Sequence, residues 1–193
     1  MKFDMVIGNP PYGTGANLAI KFLNKSCELS DDVRMVLPAS FQRESVQNKI
    51  HVGSQLIHDE RLPDETFPRD ITTVYQRWVK GETARDPHLL LRQHPDFQFL
   101  KYEEREKATL FIGGAGAGPS GKVKDKDFMH YAPGHHYVVC DEETKKRLQD
   151  IQSKMITASR VCGCLPGISK HGIIKIYEET YGKQEHAQLS GWE

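Results

Sequence analysis

The residues best suited to chemistry stand almost at the start of the sequence, in "FDMVIGNPPYG" over residues 3–13. An apolar run leads into Asn9, Pro10, Pro11 and Tyr12. The first proline offers a backbone carbonyl of fixed geometry with no competing N–H. The Asn9 side chain adds a second oxygen acceptor beside it. Two such acceptors hold both hydrogens of an exocyclic amino group and aim its nitrogen lone pair outward. The Tyr12 ring supplies a flat face on which a planar heterocycle stacks. Asn, Pro and Gly also favour plain turns. The apolar strand before the motif and the amphipathic helix after it favour the site over the turn.

The elements that must position these residues follow from periodicity. "FDMVI" at 3–7 reads as a buried strand, apolar on both faces as a central parallel strand is. Residues 16–29 place Ala19, Ile20, Leu23 and Cys27 on one helical face. "VRMVLP" at 33–38 is a second strand stopped by Pro38, and Ser40–Ile50 has helical potential. "SQLIHDERLP" and "ITTVYQRWVKG" predict two further strands. The order β-α-β-α-β-β predicts an α/β fold, half of a sheet with an antiparallel strand at one end.

Composition shifts near residue 82, which predicts a catalytic half over 1–82 and a smaller α+β region over 83–193. The second region opens with a charged, irregular stretch, "GETARDPHLLLRQHPDFQFLKYEEREK", followed by a glycine-rich loop at 113–121 and a strand, "HHYVVC". A helix is expected over 141–156, capped by Asp141 and Thr144, with Leu148, Ile151 and Met155 inward. A last helix is expected after an Ser169 cap, with Ile173, Ile174, Tyr177 and Tyr181 on one face and Gly182 closing it.

"FDMVIGNPPYG" resembles the catalytic motif of S-adenosylmethionine-dependent N6-adenine DNA methyltransferases, most closely those of the large restriction-modification type. "VRMVLPASFQ" is similar to the next sheet strand and loop of that family, and "ETFPRDITTVYQRWVKG" to its last antiparallel hairpin. The resemblance is close over 1–80 and looser beyond, where "LFIGGAGAGPSGKV" and "GISKHGIIKIYEETYG" resemble target-recognition elements. It implies a partial Rossmann-like methyltransferase sheet followed by a recognition region. It also implies that adenine is flipped out of duplex DNA, since N6 is unreachable in the stack. Asn9 and the Pro10 carbonyl would accept from N6, and Tyr12 and Phe67 would sandwich the ring. Phe67 reads equally as a core aromatic. Glutamine and guanine N2 methyltransferases use similar motifs, so an RNA or protein methyltransferase stays open, as does a non-catalytic DNA-binding remnant.

In the common order of that family a cofactor half precedes the motif. Here only Met1 and Lys2 precede it. The expectation is a sheet without the strands that cradle S-adenosylmethionine, and hence a cofactor-binding partner chain or a homo-oligomer. Gly116 to Gly121 fits G-x-G-x-x-G, and Gly121-Lys122 completes most of a P-loop, but Val123 replaces the magnesium-binding Ser or Thr. Both motifs need a helix after the last glycine, and "KVKDKDFMHYAPG" lacks an apolar face. The loop therefore reads first as a recognition loop with Lys122 contacting phosphate, then as a plain loop, and last as a cofactor turn.

Cys162 and Cys164 with His130 and His171 form a weak zinc pattern with no second pair, so no metal is expected. Lys plus Arg equals Asp plus Glu at 26 each, which gives no global signature of a nucleic-acid binder. The four cysteines form no disulfide framework. With no signal peptide and no apolar run long enough to span a membrane, a reduced cytoplasmic protein is expected.

Overall fold

The computed structural model describes residues 2–67, 72–115, 119–125, 134–160 and 167–182. The chain is a mixed α/β protein that divides into two compact units, one over Met1–Leu90 and the other starting at Leu91.

The first unit is built on a mixed sheet of β1 (Val6–Gly8), β2 (Asp32–Pro38), β3 (Ser54–Arg61) and β4 (Thr73–Lys80), in the order β1-β2-β4-β3. β1 runs parallel to β2, and β4 is antiparallel to both of its neighbours. Helix α1 (Asn17–Leu29) connects the parallel pair, and the short α2 (Glu44–Gln47) follows β2. Alternation sends Val33, Met35 and Leu37 of β2 and Val74 and Trp78 of β4 to one face. There they meet Ala19, Ile20 and Leu23 of α1, together with Phe41 and Ile50.

The opening strand departs from its expectation. Only Val6–Gly8 is a regular strand, continued by a single bridge from Phe3 to Ser30. It is an edge strand, as a sheet without the donor-side strands requires, and Phe3, Met5 and Ile7 are exposed where the apolar run alone predicts burial. An apolar run looks the same at the edge of a sheet as at its centre, so hydropathy alone does not separate the two.

On the opposite face Arg34 and Arg77 stand directly across from each other on β2 and β4. The Asp32 carboxylate bonds both guanidiniums, from Arg34 Nη2 at 2.8 Å and from Arg77 Nη2 at 2.9 Å. Like charges opposed across strands destabilise a sheet, and the shared acid offsets that repulsion. Arg85, from the stretch expected to be irregular, ties the end of the unit together. It donates to the carbonyls of Gln47, Ile50 and Ser54 and lies over the Trp78 ring. Burial pulls its pKa down.

The second unit has an antiparallel sheet, in the order β5-β8-β6-β7, from β5 (Phe97–Leu100), β6 (Leu110–Gly113), β7 (Val123–Asp125) and β8 (His135–Cys140). Its core joins Phe97, Phe99, Leu110, Ile112 and Val138 to Leu148, Ile151, Met155, Ile173, Ile174 and Tyr177. The helix expected over 141–156 is two, α3 (Glu142–Asp150) and α4 (Gln152–Arg160), broken at Ile151. The Asp141 cap accepts from the Thr144 amide at 2.7 Å. The last helix, α5 (Lys170–Tyr181), is capped by Ser169, which accepts from the Gly172 amide. Tyr181, expected on its inner face, is exposed. No helix among the described residues is long and apolar enough to cross a membrane.

Candidate functional site

The Asn-Pro-Pro-Tyr turn leaves the carboxyl end of β1. Pro10 is buried, Asn9 and Pro11 are exposed, and Tyr12 is half-buried against the α1–β2 core. The Tyr12 hydroxyl donates to Asn9 Oδ1 at 3.3 Å, long for a hydroxyl donor. An amide oxygen has two lone pairs, so Oδ1 retains one for a second donor. Among the described residues no group donates to the Pro10 carbonyl.

The turn is fixed from behind by the start of α1. The Ala19 amide donates to the Tyr12 carbonyl, and the Ala16 amide to the Gly13 carbonyl. Gly13 sits at φ 68°, and a Cβ there would lie 2.9 Å from Leu18 Cβ. Both the dihedral and the space require glycine. Ala16 also takes a left-handed conformation, φ 62°, uncommon for a residue with a side chain.

Strand directions bring further loops to this end of the sheet. β1 and β2 are parallel, so their carboxyl ends face one way. β4 begins opposite Pro38, and β3 ends with Arg61 opposite Val74. The β3–β4 connection, which carries Phe67, therefore leaves the sheet on the same side as Asn9 and Tyr12. β4 is two strands from β1, about 10 Å across at ordinary strand spacing. Phe67 is half-buried just after the turn Asp64–Thr66.

The loop after β2, Ala39–Gln42, is the remaining element at this end. It is held by groups the sequence reading passed over. The carbonyl of buried Phe41 accepts from Gln47 Nε2 at 3.0 Å and from Gln76 Nε2 at 3.3 Å. Gln76 Oε1 accepts from Trp78 Nε1 at 3.1 Å, so this fully buried amide is used at both ends. Period-two alternation in "TVYQRWVK" puts Gln76 inward between Val74 and Trp78. That inward polar residue is the signal that could have found it.

Lys122 lies in the second unit, exposed, between the glycine loop and β7. The glycine-rich segment leads from β6 into β7, an antiparallel neighbour, and not into a helix. A Cβ on Gly113 would lie 2.6 Å from the Pro119 carbonyl oxygen, and one on Gly114 2.3 Å from that of Gly134. These glycines admit the protein's own backbone. Gly116 and Gly118 lie outside the described residues.

Among the histidines, His171 Nδ1 accepts from the Leu91 amide and His136 Nε2 donates to the Ile168 carbonyl at 2.8 Å. Burial lowers the His136 pKa and raises the pKa of the Cys27 and Cys140 thiols, disfavouring their thiolates. His130, Cys162 and Cys164 lie outside the described residues. Among the described residues no three His, Cys, Asp or Glu side chains converge as a metal-ligand set. No family model matches this chain, and no curated protein matches it.

Proposed function

We propose that this chain is the catalytic and target-recognition part of an adenine-specific DNA N6-methyltransferase. The observation that carries the reading is the acceptor pair at the carboxyl end of β1. Asn9 Oδ1 is exposed and oriented by Tyr12, and the Pro10 carbonyl beside it receives no bond from the described residues. Ligands of open α/β sheets bind outside the carboxyl ends of the strands, which is where this pair sits.

The roles follow from the chemistry. A flipped adenine would give its two N6 hydrogens to Asn9 Oδ1 and the Pro10 carbonyl, leaving the nitrogen lone pair directed outward. Tyr12 would stack on one side of the base and Phe67, from the β3–β4 connection, would close the other. The Ala39–Gln42 loop, anchored through Phe41, would form the wall between them. Orientation of the amine is the main contribution such a site makes.

The methyl group would come from S-adenosylmethionine, and the described residues do not fit that donor. The glycine segment enters a strand, and its glycines contact backbone. The reading therefore assigns donor binding to a partner chain or a further segment. The same observation favours a second reading, a DNA-binding chain that keeps the base pocket and transfers nothing.

Duplex DNA carrying 2-aminopurine tests the pocket independently of methyl transfer. Emission should rise when the chain extrudes the base, and fall back with Tyr12→Ala. An unchanged emission from bound DNA would overturn the adenine reading. Transfer of labelled methyl groups to DNA, with and without a donor-binding chain, separates the enzyme from the non-catalytic binder.

A further inference from the structure

From Glu82 to Leu89 every residue is exposed except Arg85, which is half-buried. Its amide donates to the Val52 carbonyl at 2.8 Å. Its guanidinium donates to the carbonyls of Ile50 at 3.0 Å and Ser54 at 3.2 Å, and to that of Gln47. The same group lies 5.8 Å from the centre of the Trp78 ring. Several donors on one planar fork make such a set, and the point charge of a lysine does not. A second tether holds the same segment. Asn48 accepts from the His88 amide and donates to the His88 carbonyl, both at 2.8 Å.

These contacts run into the loop after β2. The Phe41 carbonyl accepts from Gln47 Nε2 and from Gln76 Nε2, so both of its lone pairs are used by side chains of other elements. Gln76 accepts from Trp78, the Trp78 ring lies beneath Arg85, and Arg85 bonds the backbone of Gln47. The path closes on itself, from Phe41 through Gln76, Trp78, Arg85 and Gln47 back to Phe41. Phe41, Gln76 and Trp78 are buried. Ala39–Gln42 is a 3₁₀ turn of four residues, with the weak bond geometry of that class, and it depends on such outside support. It leaves Ser40 and Gln42 half-exposed.

We propose that Arg85 is a positioning residue of the candidate site, setting the place of the Ala39–Gln42 loop through Gln47 and Trp78. The inference rests on the base-pocket reading, in which that loop is the wall between Tyr12 and Phe67. Arg85 would touch no base. Its guanidinium fixes the backbone of Gln47, the Gln47 side chain fixes Phe41, and Phe41 fixes the loop. A buried polar network of this kind shifts as a unit, because a member that moves alone leaves its neighbours unpaired. Displacing a site wall by about 1 Å can cost roughly 10²-fold in rate. The machinery of the site then extends past residue 82, into a stretch whose composition reads as irregular.

Hydrogen exchange on the full chain, read by mass spectrometry, tests the path without any ligand. Arg85→Lys should speed exchange of the Phe41–Arg43 amides at least about tenfold, the factor that goes with losing one bond to a charged group. Asn48→Ala releases the same segment at His88 but lies off the closed path, and it should leave those amides unchanged. Gln47→Leu cuts the same arm at its far end and should also speed them, which keeps the test decisive where circular dichroism finds Arg85→Lys unfolded. On duplex DNA carrying 2-aminopurine, Arg85→Lys should lower the saturating emission while DNA affinity stays near that of the wild type. In a Gln47→Leu background it should lower emission less, as coupled neighbours do. Unchanged exchange at Phe41–Arg43, or equal effects of Arg85→Lys and Asn48→Ala, would overturn the proposal. So would normal emission from an Arg85→Lys chain whose loop exchange has risen. A wild type that never raises emission, with exchange responding as expected, would overturn the base-pocket reading and keep the Arg85 path as support of the loop.

Discussion

Tyr12 and Asn9 are joined by a hydrogen bond from phenol to amide oxygen at 3.3 Å, across a turn with Pro10 buried beneath it. The bond sets which way the Asn9 amide faces, with its oxygen on the Tyr12 side. On the proposed reading Tyr12 has two separable roles, a ring to stack and a hydroxyl to orient its neighbour.

Substitutions at these positions should separate the functions. Tyr12→Phe keeps the ring and should bind mismatched adenine DNA nearly as the wild type does. Tyr12→Ala should lose about 1–3 kcal/mol of that affinity, the usual contribution of stacking on one base. Asn9→Ala should leave the fold intact and lower reconstituted methyl transfer by roughly 10²–10³. Near-normal turnover of Asn9→Ala would remove this side chain from the chemistry.

Gly13 should be nearly irreplaceable. Alanine there meets both a positive φ and a Cβ 2.9 Å from Leu18. We expect Gly13→Ala to lose roughly 1–3 kcal/mol in urea denaturation, the scale of one strained residue held by its surroundings. Gly182→Ala, with nothing within 4 Å of the added Cβ, should lose less despite φ 95°. Equal losses at the two positions would assign the effect to the dihedral alone.

The Asp32 cluster should show in acid. The Arg34 guanidinium, then that of Arg77, holds the carboxyl well below its usual range. A depressed folded pKa gives stability that is present above the unfolded value, about 3.9, and lost as pH falls below it. Asp32→Asn should therefore be less stable than the wild type at neutral pH, with the gap closing below about pH 4. A gap constant with pH would mean the charge is not what stabilises the cluster.

His136 should act in a higher window. Burial, helped by the positive charge of Lys170 and by His135, holds its imidazole below the ordinary value. The unfolded chain then takes up the proton first, so stability falls as pH drops below about 6.5. His136→Gln, which keeps a donor for the Ile168 carbonyl, should flatten the stability profile between neutral pH and about pH 5. An unchanged profile would place the titration elsewhere.

Much of the first unit was legible because its signals are local and periodic. The spacing of Ala19, Ile20 and Leu23 located α1, the apolar run stopped by Pro38 located β2, and short segments, the second rich in β-branched and aromatic residues, located β3 and β4. Caps were legible too, since Asp141 and Ser169 act on amides three residues away. What was missed depends on distant partners. Phe97 and Phe99 alternate as a strand requires, but they sit in a charged stretch, and β5 forms by pairing with β8. β7 buries only Val123 and exists because β6 lies beside it. Arg85 reads as one more charge in a polar segment until its three carbonyl partners are brought to it. At the candidate site the motif was visible. The Gln47–Phe41–Gln76 anchor was not, because its members are brought together from three separate elements.

Donor binding gives the last prediction. If S-adenosylmethionine were held by this chain alone, its glycine segment would have to open a helix whose amide groups met the ligand. Instead Gly113 ends β6 and exchanges backbone bonds with Lys122 and Gly121 across the hairpin. A Cβ on Gly121 would meet the Met155 backbone at 2.6 Å, so this glycine is needed for the loop to lie against α4. Calorimetry on the purified chain should therefore find donor binding weaker than about 1 mM. Gly121→Ala should unsettle the second unit without changing that result. Micromolar binding, lost in Gly121→Ala while the fold is kept, would move the hairpin from recognition loop to cofactor site and return methyl transfer to the chain itself.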